Sequence, residues 1–184
     1  MRWTNTPNRF GIMAQIFHWT TVLAVGLAWA LGQFGDEIPK GIARQTAGFI
    51  HVSAGELIAI LLIGRLIWRQ SNPYPTKISS PLSKWGEYAG SIMHFVLYVL
   101  LATVVLAGIT TEFAQGKPLT LFGLYEVASP WVKDKQFAHS VKEIHETLAN
   151  SLIVLATIHA GSALVHHYMF KNNTLKRMFP FWSE

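Results

Sequence analysis

Long apolar runs, rather than alternating or amphipathic patterns, dominate the order of hydrophobic and polar positions along this chain. Four such runs are separated by polar segments, at roughly residues 12–34, 49–69, 88–111 and 145–170. Each is close to the roughly 20 residues that an α-helix needs to cross the hydrocarbon core of a bilayer. The pattern predicts an all-α, integral membrane four-helix bundle, with residues 1–184 forming one transmembrane domain.

Composition supports this prediction and limits the chemistry. Hydrophobic residues make up 51% of the 184 residues and charged residues only 14%. Because the chain has no cysteine, it cannot form disulfides, thiolate metal sites or a cysteine-held iron–sulfur cluster, so histidine must carry any metal ligation. The first apolar run is too long for a signal peptide and contains His18 and Trp19, so we expect this helix to remain in the mature protein.

The distribution of charge predicts an orientation. The N-terminus, the segment between the second and third runs, and the C-terminal tail share one side of the membrane. This side carries Arg2, Arg9, Arg65, Arg69, Lys77, Lys84, Lys171, Lys176 and Arg177. On the other side, nearby acidic residues offset the basic ones. The positive-inside rule therefore predicts cytoplasmic termini and an outward connection from about residue 112 to 144. Its glycine, proline and tryptophan residues suggest an ordered cap with a short interfacial helix.

Four histidines of the apolar runs match in pairs by depth. His51 is expected to open the second helix and His145 the fourth, both at the outer side. His18 lies just inside the cytoplasmic end of the first helix, and His159 follows His145 by fourteen residues, a rise of about 21 Å. Fourteen residues at about 100° each return to within about 40° of the same face. The fourth helix therefore offers one imidazole at each of two depths.

Paired imidazoles in an apolar setting favour a haem over the alternatives. Zinc would need a third or fourth ligand at each level. A proton relay would favour Asp or Glu in the membrane core, which the chain lacks apart from Glu56 near one end. A bis-imidazole haem needs two histidines and an apolar slot. Four glycines are candidates for close approach of a flat macrocycle to a helix: Gly26, Gly55, Gly108 and Gly161.

Arg65 is a candidate for contact with the same cofactor. It follows His51 by fourteen residues, so it lies on the same face of the second helix at the cytoplasmic level. There its guanidinium could pair with a haem propionate. It could equally mark the end of the helix by extending towards water. The sequence leaves both interpretations open.

Several motifs resemble the bacterial di-haem cytochrome b-561 family. They are HETLAN and HAGSALVHHYMFKNNTLKRMFP in the fourth run, HW in the first, and HVSAG followed by Arg65 in the second. The resemblance covers nearly the whole chain and implies an inner-membrane bundle with two b haems. It implies His51 and His145 as axial ligands of the outer haem iron, and His18 and His159 as ligands of the inner one. His94, which could geometrically replace His18 at the cytoplasmic level, is left by this resemblance for a propionate or quinone contact.

The expected function is electron transfer across the membrane. Haem iron with both axial positions filled has no open site for a substrate. The resemblance implies an oxidoreductase that passes electrons from superoxide to ubiquinone, with membrane lipid, quinone and superoxide as partners and no nucleic acid. Two alternatives remain. One is a cytochrome b anchor subunit that serves a partner dehydrogenase or hydrogenase, and the other is a non-redox zinc protein.

Two further groups of residues are candidates for substrate contacts. Lysines in the outer connection could steer an anion such as superoxide. They are Lys117, Lys133, Lys135 and Lys142. At the cytoplasmic end, histidine at an aqueous boundary can supply the protons that quinone reduction needs. The candidates there are His94, His166, His167, Trp19 and Lys171. The plain alternatives are solvated lysines and an ordinary interfacial belt.

Overall fold

The computed structural model describes residues 2–76 and 83–179, without the side chains of residues 83, 84 and 87. Its long helices are α1 (Ile12–Phe34), α2 (Ile42–Ser71), α3 (Ser83–Ala114) and α4 (Lys135–Tyr168). Short 3-10 turns follow at Gly35–Glu37 and Lys176–Met178. All four long helices are long and apolar enough to cross a membrane, which confirms the predicted fold class. Lys77, counted above among the cytoplasmic basic residues, lies outside the described residues.

The helices extend further than the apolar runs. α1 has the predicted bounds, but α2 begins at Ile42 and α4 at Lys135, well before the predicted positions 49 and 145. The added turns are amphipathic, because Ala138 and Val141 are buried while most of their neighbours are exposed. Amphipathic turns do not form a continuous apolar run, so the bounds of the apolar runs do not include them. His51 and His145 therefore lie inside their helices, and the prediction that they open them was wrong.

The connection between α3 and α4 is a β-hairpin, so the prediction of a short interfacial helix there was wrong. Strands β1 (Leu119–Leu121) and β2 (Tyr125–Val127) pair in antiparallel register. The chain then returns to α3, where Asp134 N–H donates to Ala114 O at 3.0 Å. The side chain of Asp134 caps α4 by accepting from the N–H groups of its first turn. A favourable N-cap is thus the reason that α4 starts so early.

The four helices form two antiparallel hairpins. α1 packs along α2, α3 packs along α4, and the hairpins meet mainly through α2 and α3. We call the end with residues 35–41 and 115–134 the hairpin end, and the end with residues 2–11, 72–76 and 169–179 the terminal end. At the terminal end, Arg177 donates to Thr76 O, whose own N–H donates to Pro7 O at 2.8 Å. The described parts of both termini therefore lie together.

Candidate functional site

A pair of imidazoles from α2 and α4 faces the bundle interior at the hairpin end. The ring centroids of His51 and His145 lie 6.1 Å apart at an interplanar angle of 78°. Histidine–metal bonds are about 2 Å long, so two imidazoles on opposite sides of one metal ion have centroids about 6 Å apart. The predicted common depth of these two residues is confirmed, and their separation suits one metal atom between them.

A backbone carbonyl from a neighbouring helix fixes each ring of this pair. His51 Nδ1–H donates to Ala28 O of α1 at 2.8 Å, and His145 Nδ1–H donates to Val104 O of α3 at 2.9 Å. Because a carbonyl can only accept, the proton must be on Nδ1, which leaves the Nε2 lone pair available to a metal. Metal-binding histidines ordinarily have such a partner on their other nitrogen.

A glycine one turn beyond each carbonyl lets the ring lie against the helix. A Cβ at Gly32 would stand 3.1 Å from His51 Cε1, and a Cβ at Gly108 would stand 3.1 Å from His145 Cε1. Gly108 was predicted as a point of close approach, but the close neighbour here is the histidine ring. Gly32 was missed. A Cβ at the other predicted glycines would meet no described atom within 4 Å, which leaves open space beside Gly26, Gly55 and Gly161.

The two helical hairpins repeat this arrangement at constant sequence intervals. The number of residues from α1 to α3 is the same in three pairs of residues: Ala28 and Val104, Gly32 and Gly108, and His18 and His94. A second interval separates two pairs in α2 and α4: His51 and His145, and Arg65 and His159. The two helical hairpins therefore correspond at these positions, and Arg65 takes the place that His159 has in the other hairpin. These intervals are the sequence signal that could have identified Gly32.

Three imidazoles and one guanidinium gather deeper in the bundle, towards the terminal end. The rings of His94 and His159 lie 5.0 Å apart at 68°. His18 interacts electrostatically with both of these residues. Its Nδ1 accepts an N–H of Arg65 at 3.4 Å, since a guanidinium can only donate. The predicted common level of His18 and His159 is confirmed, and the ring packed against His159 is that of His94.

Arg65 points into the bundle rather than towards water. Its guanidinium lies 5.3 Å from the ring centroid of Tyr98 in α3 and also contacts His18 in α1. This position bridges three helices, which a side chain extended to the aqueous boundary would not do. A guanidinium held on an aromatic face in an apolar interior is well placed to pair with a carboxylate.

The residues predicted for quinone contact fall into separate groups. Trp19 Nε1–H donates to Met178 O at 2.8 Å, so the C-terminal segment already occupies this donor. His166 Nδ1 accepts from the side chain of Asn172 at 2.9 Å, and His167 Nδ1 lies 3.4 Å from Asn172 O. Lys171 is exposed and has a positive φ of 51°. Among these candidates, only His94 lies in the cluster with His159.

The lysines of the outer connection are not equivalent. Lys117 Nζ lies 3.9 Å from Glu112, and Lys142 Nζ lies 3.3 Å from Glu146. Lys133 and Lys135 are exposed and form no ion pair within the described residues. Among the four lysines proposed for steering, Lys133 and Lys135 would therefore attract an approaching anion most strongly.

A metal site of the zinc type finds no support in the described residues. Within residues 2–76 and 83–179, no three or more His, Asp or Glu side chains gather as ligands for one ion. Zinc sites ordinarily use three or four protein ligands. Two neighbouring imidazoles from different membrane-spanning helices, whose Nε2 atoms form no hydrogen bond among the described residues, have instead the ligand set of a bis-histidine haem.

Comparison with known families agrees with this assignment. The family model for prokaryotic cytochrome b561 matches residues 9–181. The chain therefore belongs to the prokaryotic cytochrome b561 family and is a membrane electron-transfer protein that binds b haem.

Its relatives cover nearly the whole chain. Cytochrome b561 homolog 2 of Escherichia coli (strain K12) is 33% identical over 181 residues, 97% of this chain and 95% of that protein. Cytochrome b561 homolog 1 of the same organism is 35% identical over 179 residues, 94% and 98% of the two chains. A protein of Yersinia pestis named probable superoxide oxidase CybB is 30% identical over 165 residues, 89% and 91% of the two chains.

We predict that Gly108→Val lowers haem content, because the new side chain would displace the His145 ring from Val104 O. Gly48→Val is the matched control, since a Cβ at Gly48 meets nothing within 4 Å among the described residues. Haem per protein, measured by absorbance on purified variants of equal yield, should fall by about half for Gly108→Val and stay unchanged for Gly48→Val. Equal haem content in the two variants would show that this ring contact is dispensable.

Proposed function

We propose that the protein oxidises superoxide at its hairpin end, on the outer face of a bacterial inner membrane. We further propose that it reduces ubiquinone at its terminal end, on the cytoplasmic side of that membrane. In this reaction two superoxide anions each lose one electron and leave as dioxygen. One ubiquinone takes up both electrons and two protons to become ubiquinol. The observation that carries the proposal is the presence of imidazole groups at two levels of one bundle, about 21 Å apart along α4.

Two b haems would be held at these levels. The outer ligands would be His51 and His145, whose Nε2 atoms are free. The inner ligands would be His18 and His159, as the family motifs imply. When bound to these histidines, the haems would supply one-electron redox chemistry.

Arg65 would change partner when the inner site is filled. A histidine that binds metal through Nε2 carries its proton on Nδ1, so His18 Nδ1 could no longer accept from Arg65. The guanidinium would then be free to pair with an anionic group nearby. A haem propionate is such a group, and it is the partner proposed for Arg65.

The orientation follows from charge. Arg9 and Arg177 lie at the terminal end, where Arg69 also stands in the last turn of α2. An excess of lysine and arginine near span ends marks the cytoplasmic side. The hairpin end then faces outwards, where superoxide meets Lys133 and Lys135. The relative named probable superoxide oxidase supports superoxide as the donor.

We predict that the purified protein in ubiquinone-containing liposomes reduces ubiquinone to ubiquinol with electrons from superoxide, and that two superoxide anions are oxidised to dioxygen for each ubiquinol formed. The double variant Lys133→Gln, Lys135→Gln should react several-fold more slowly at low salt, because two unpaired cations that attract the anion are lost. This difference should shrink at 0.15 M salt, where exposed charges are screened beyond about 8 Å. Lys117→Gln, Lys142→Gln is the matched control of equal charge, and we expect a smaller effect because both lysines are already paired.

Two outcomes would contradict this prediction. A rate that is independent of salt in wild type and both variants would leave the lysines without a role in steering. Absence of any superoxide-dependent ubiquinol, together with co-purification of a large redox partner whose substrate reduces the haem, would instead support the anchor-subunit function.

Ubiquinone reduction is proposed at the terminal end because proton donors are concentrated there. His94 packs on His159 within the span, while His166 and His167 are held by Asn172 near the helix end. Histidine at a water boundary can pass protons near neutral pH. Trp19 and Lys171 complete the proposed surroundings of the quinone, the first as an aromatic surface held by Met178 O and the second as an exposed cation.

We predict that His94→Gln and His166→Gln each slow the oxidation of the reduced protein by ubiquinone by about tenfold or more, a loss typical of removing a proton-transfer group. Haem spectra should be unchanged, since neither residue is a proposed ligand. His139→Gln is the control, because His139 is an exposed residue at the other end, 3.4 Å from Glu143. Wild-type rates in both variants would place the quinone elsewhere.

A further inference from the structure

Glu56 is an acidic residue in the middle of a membrane-spanning helix. It is the single Asp, Glu, Lys or Arg between Arg44 and Arg65 of α2, and it is only 9% exposed. Its Oε2 accepts the backbone N–H of Phe122 at 2.8 Å, and its Oε1 has no partner among the described residues. Acidic groups inside a membrane are costly and are kept for a specific interaction. The interaction seen here is with the turn between β1 and β2.

That turn has an unusual backbone. Phe122 has a φ of +50° and Gly123 a φ of +71°, and Leu124 N–H donates to Leu121 O at 2.9 Å. Positive φ at both central residues is typical of the type I′ turns that join paired strands. Glycine takes this conformation easily, but an aromatic residue does so at a cost. The surroundings of Phe122 must therefore hold it in place.

The turn lies beside the apolar part of α2 rather than above it. A Cβ at Gly123 would meet the ring of Phe49 at 3.1 Å. Phe122 also lines a cavity of about 340 Å³ between α1 and α2, together with Ser53 and Leu57. All of these α2 residues fall in the stretch of roughly 20 residues, about 30 Å, between Arg44 and Arg65, where Glu56 is the one charged residue. The turn is thus at the level of apolar residues of this span.

We propose that the turn, residues 121–125, inserts into the leaflet at the hairpin end, at the boundary between the headgroups and the hydrocarbon, and is anchored there by Glu56. Lipid tails provide no acceptor for the N–H of Phe122, so a carboxyl oxygen from α2 supplies one. The side chains of Leu124 and Tyr125 are 90% and 68% exposed, and lipid is the partner that suits such apolar surface at this depth. The turn of the β-hairpin then lies in lipid rather than in water.

The absence of cysteine makes a direct test of depth possible, because a single introduced cysteine takes all of the label. A nitroxide is attached to Leu124→Cys or to Lys133→Cys in lipid nanodiscs. Its collision rates with oxygen, which concentrates in lipid, and with a water-soluble nickel chelate are then measured. The ratio of oxygen to nickel accessibility should be several-fold higher at position 124 than at position 133.

Two anchor variants in the Leu124→Cys background test the role of Glu56. Glu56→Gln retains an oxygen that can accept from Phe122 N–H, so the ratio should stay high. Glu56→Leu removes the acceptor, so the ratio should fall towards the value at position 133. An unchanged ratio in Glu56→Leu would show that the carboxyl group is not the anchor.

The comparison of labels at positions 124 and 133, with Glu56 unchanged, tests the insertion of the turn even if the Glu56→Leu variant does not fold. Equal ratios at positions 124 and 133 would place the turn in water and overturn the proposal. A label at position 124 that neither reagent reaches would show that protein covers the turn, which would also overturn it. High oxygen and low nickel accessibility is the one result that supports insertion.

Discussion

The lack of hydrogen-bond partners in hydrocarbon is the constraint on which the arrangement of this protein depends. His51 and His145 each donate their Nδ1–H to a carbonyl of the adjacent helix, and Glu56 accepts the N–H of Phe122 in the turn between β1 and β2. Hydroxyls within the spans bond back to the carbonyl one turn earlier, as Thr21 does with Phe17 O. Because the Nδ1–H of each outer imidazole donates to a carbonyl, the ring is held in one orientation and its Nε2 is left available. The geometry that suits a haem therefore comes from the same requirement that keeps polar groups stable in a membrane.

At the hairpin end of the bundle, the two helical hairpins provide hydrogen-bond partners for their polar groups in the same way. Towards the terminal end, they do so differently. At the hairpin end, each helical hairpin contributes a histidine, a carbonyl and a glycine at matching positions. Towards the terminal end, Arg65 stands in the place of His159, so the level holds three imidazoles and one cation rather than a symmetric pair. In the proposed reaction, the symmetric level needs only to carry electrons. The asymmetric level lies near the residues that would handle protons and the quinone, and its extra polar groups suit that task.

Sequence patterns predicted the features that depend on periodicity and missed those that depend on contacts between elements. Hydropathy identified α1 at its exact bounds, and the positions of His51 and His145 at the outer ends of their apolar runs placed them at one level. The early start of α4 was missed because its first turns are amphipathic and its cap, Asp134, acts only once the chain has returned to α3. Gly32 was missed because its role depends on how α1 is aligned with α2. The pairing of Lys142 with Glu146 likewise depends on side-chain conformations that the sequence does not specify.

The central claim is that each of two levels of the bundle holds one b haem, with His145 a ligand of the outer one. Haem quantification by the pyridine haemochrome method on purified wild type, His145→Ala and the control His139→Ala tests it most directly. The account predicts two haems per chain in wild type and in His139→Ala, and about one in His145→Ala. One haem or none in wild type, or two haems retained in His145→Ala, would contradict it.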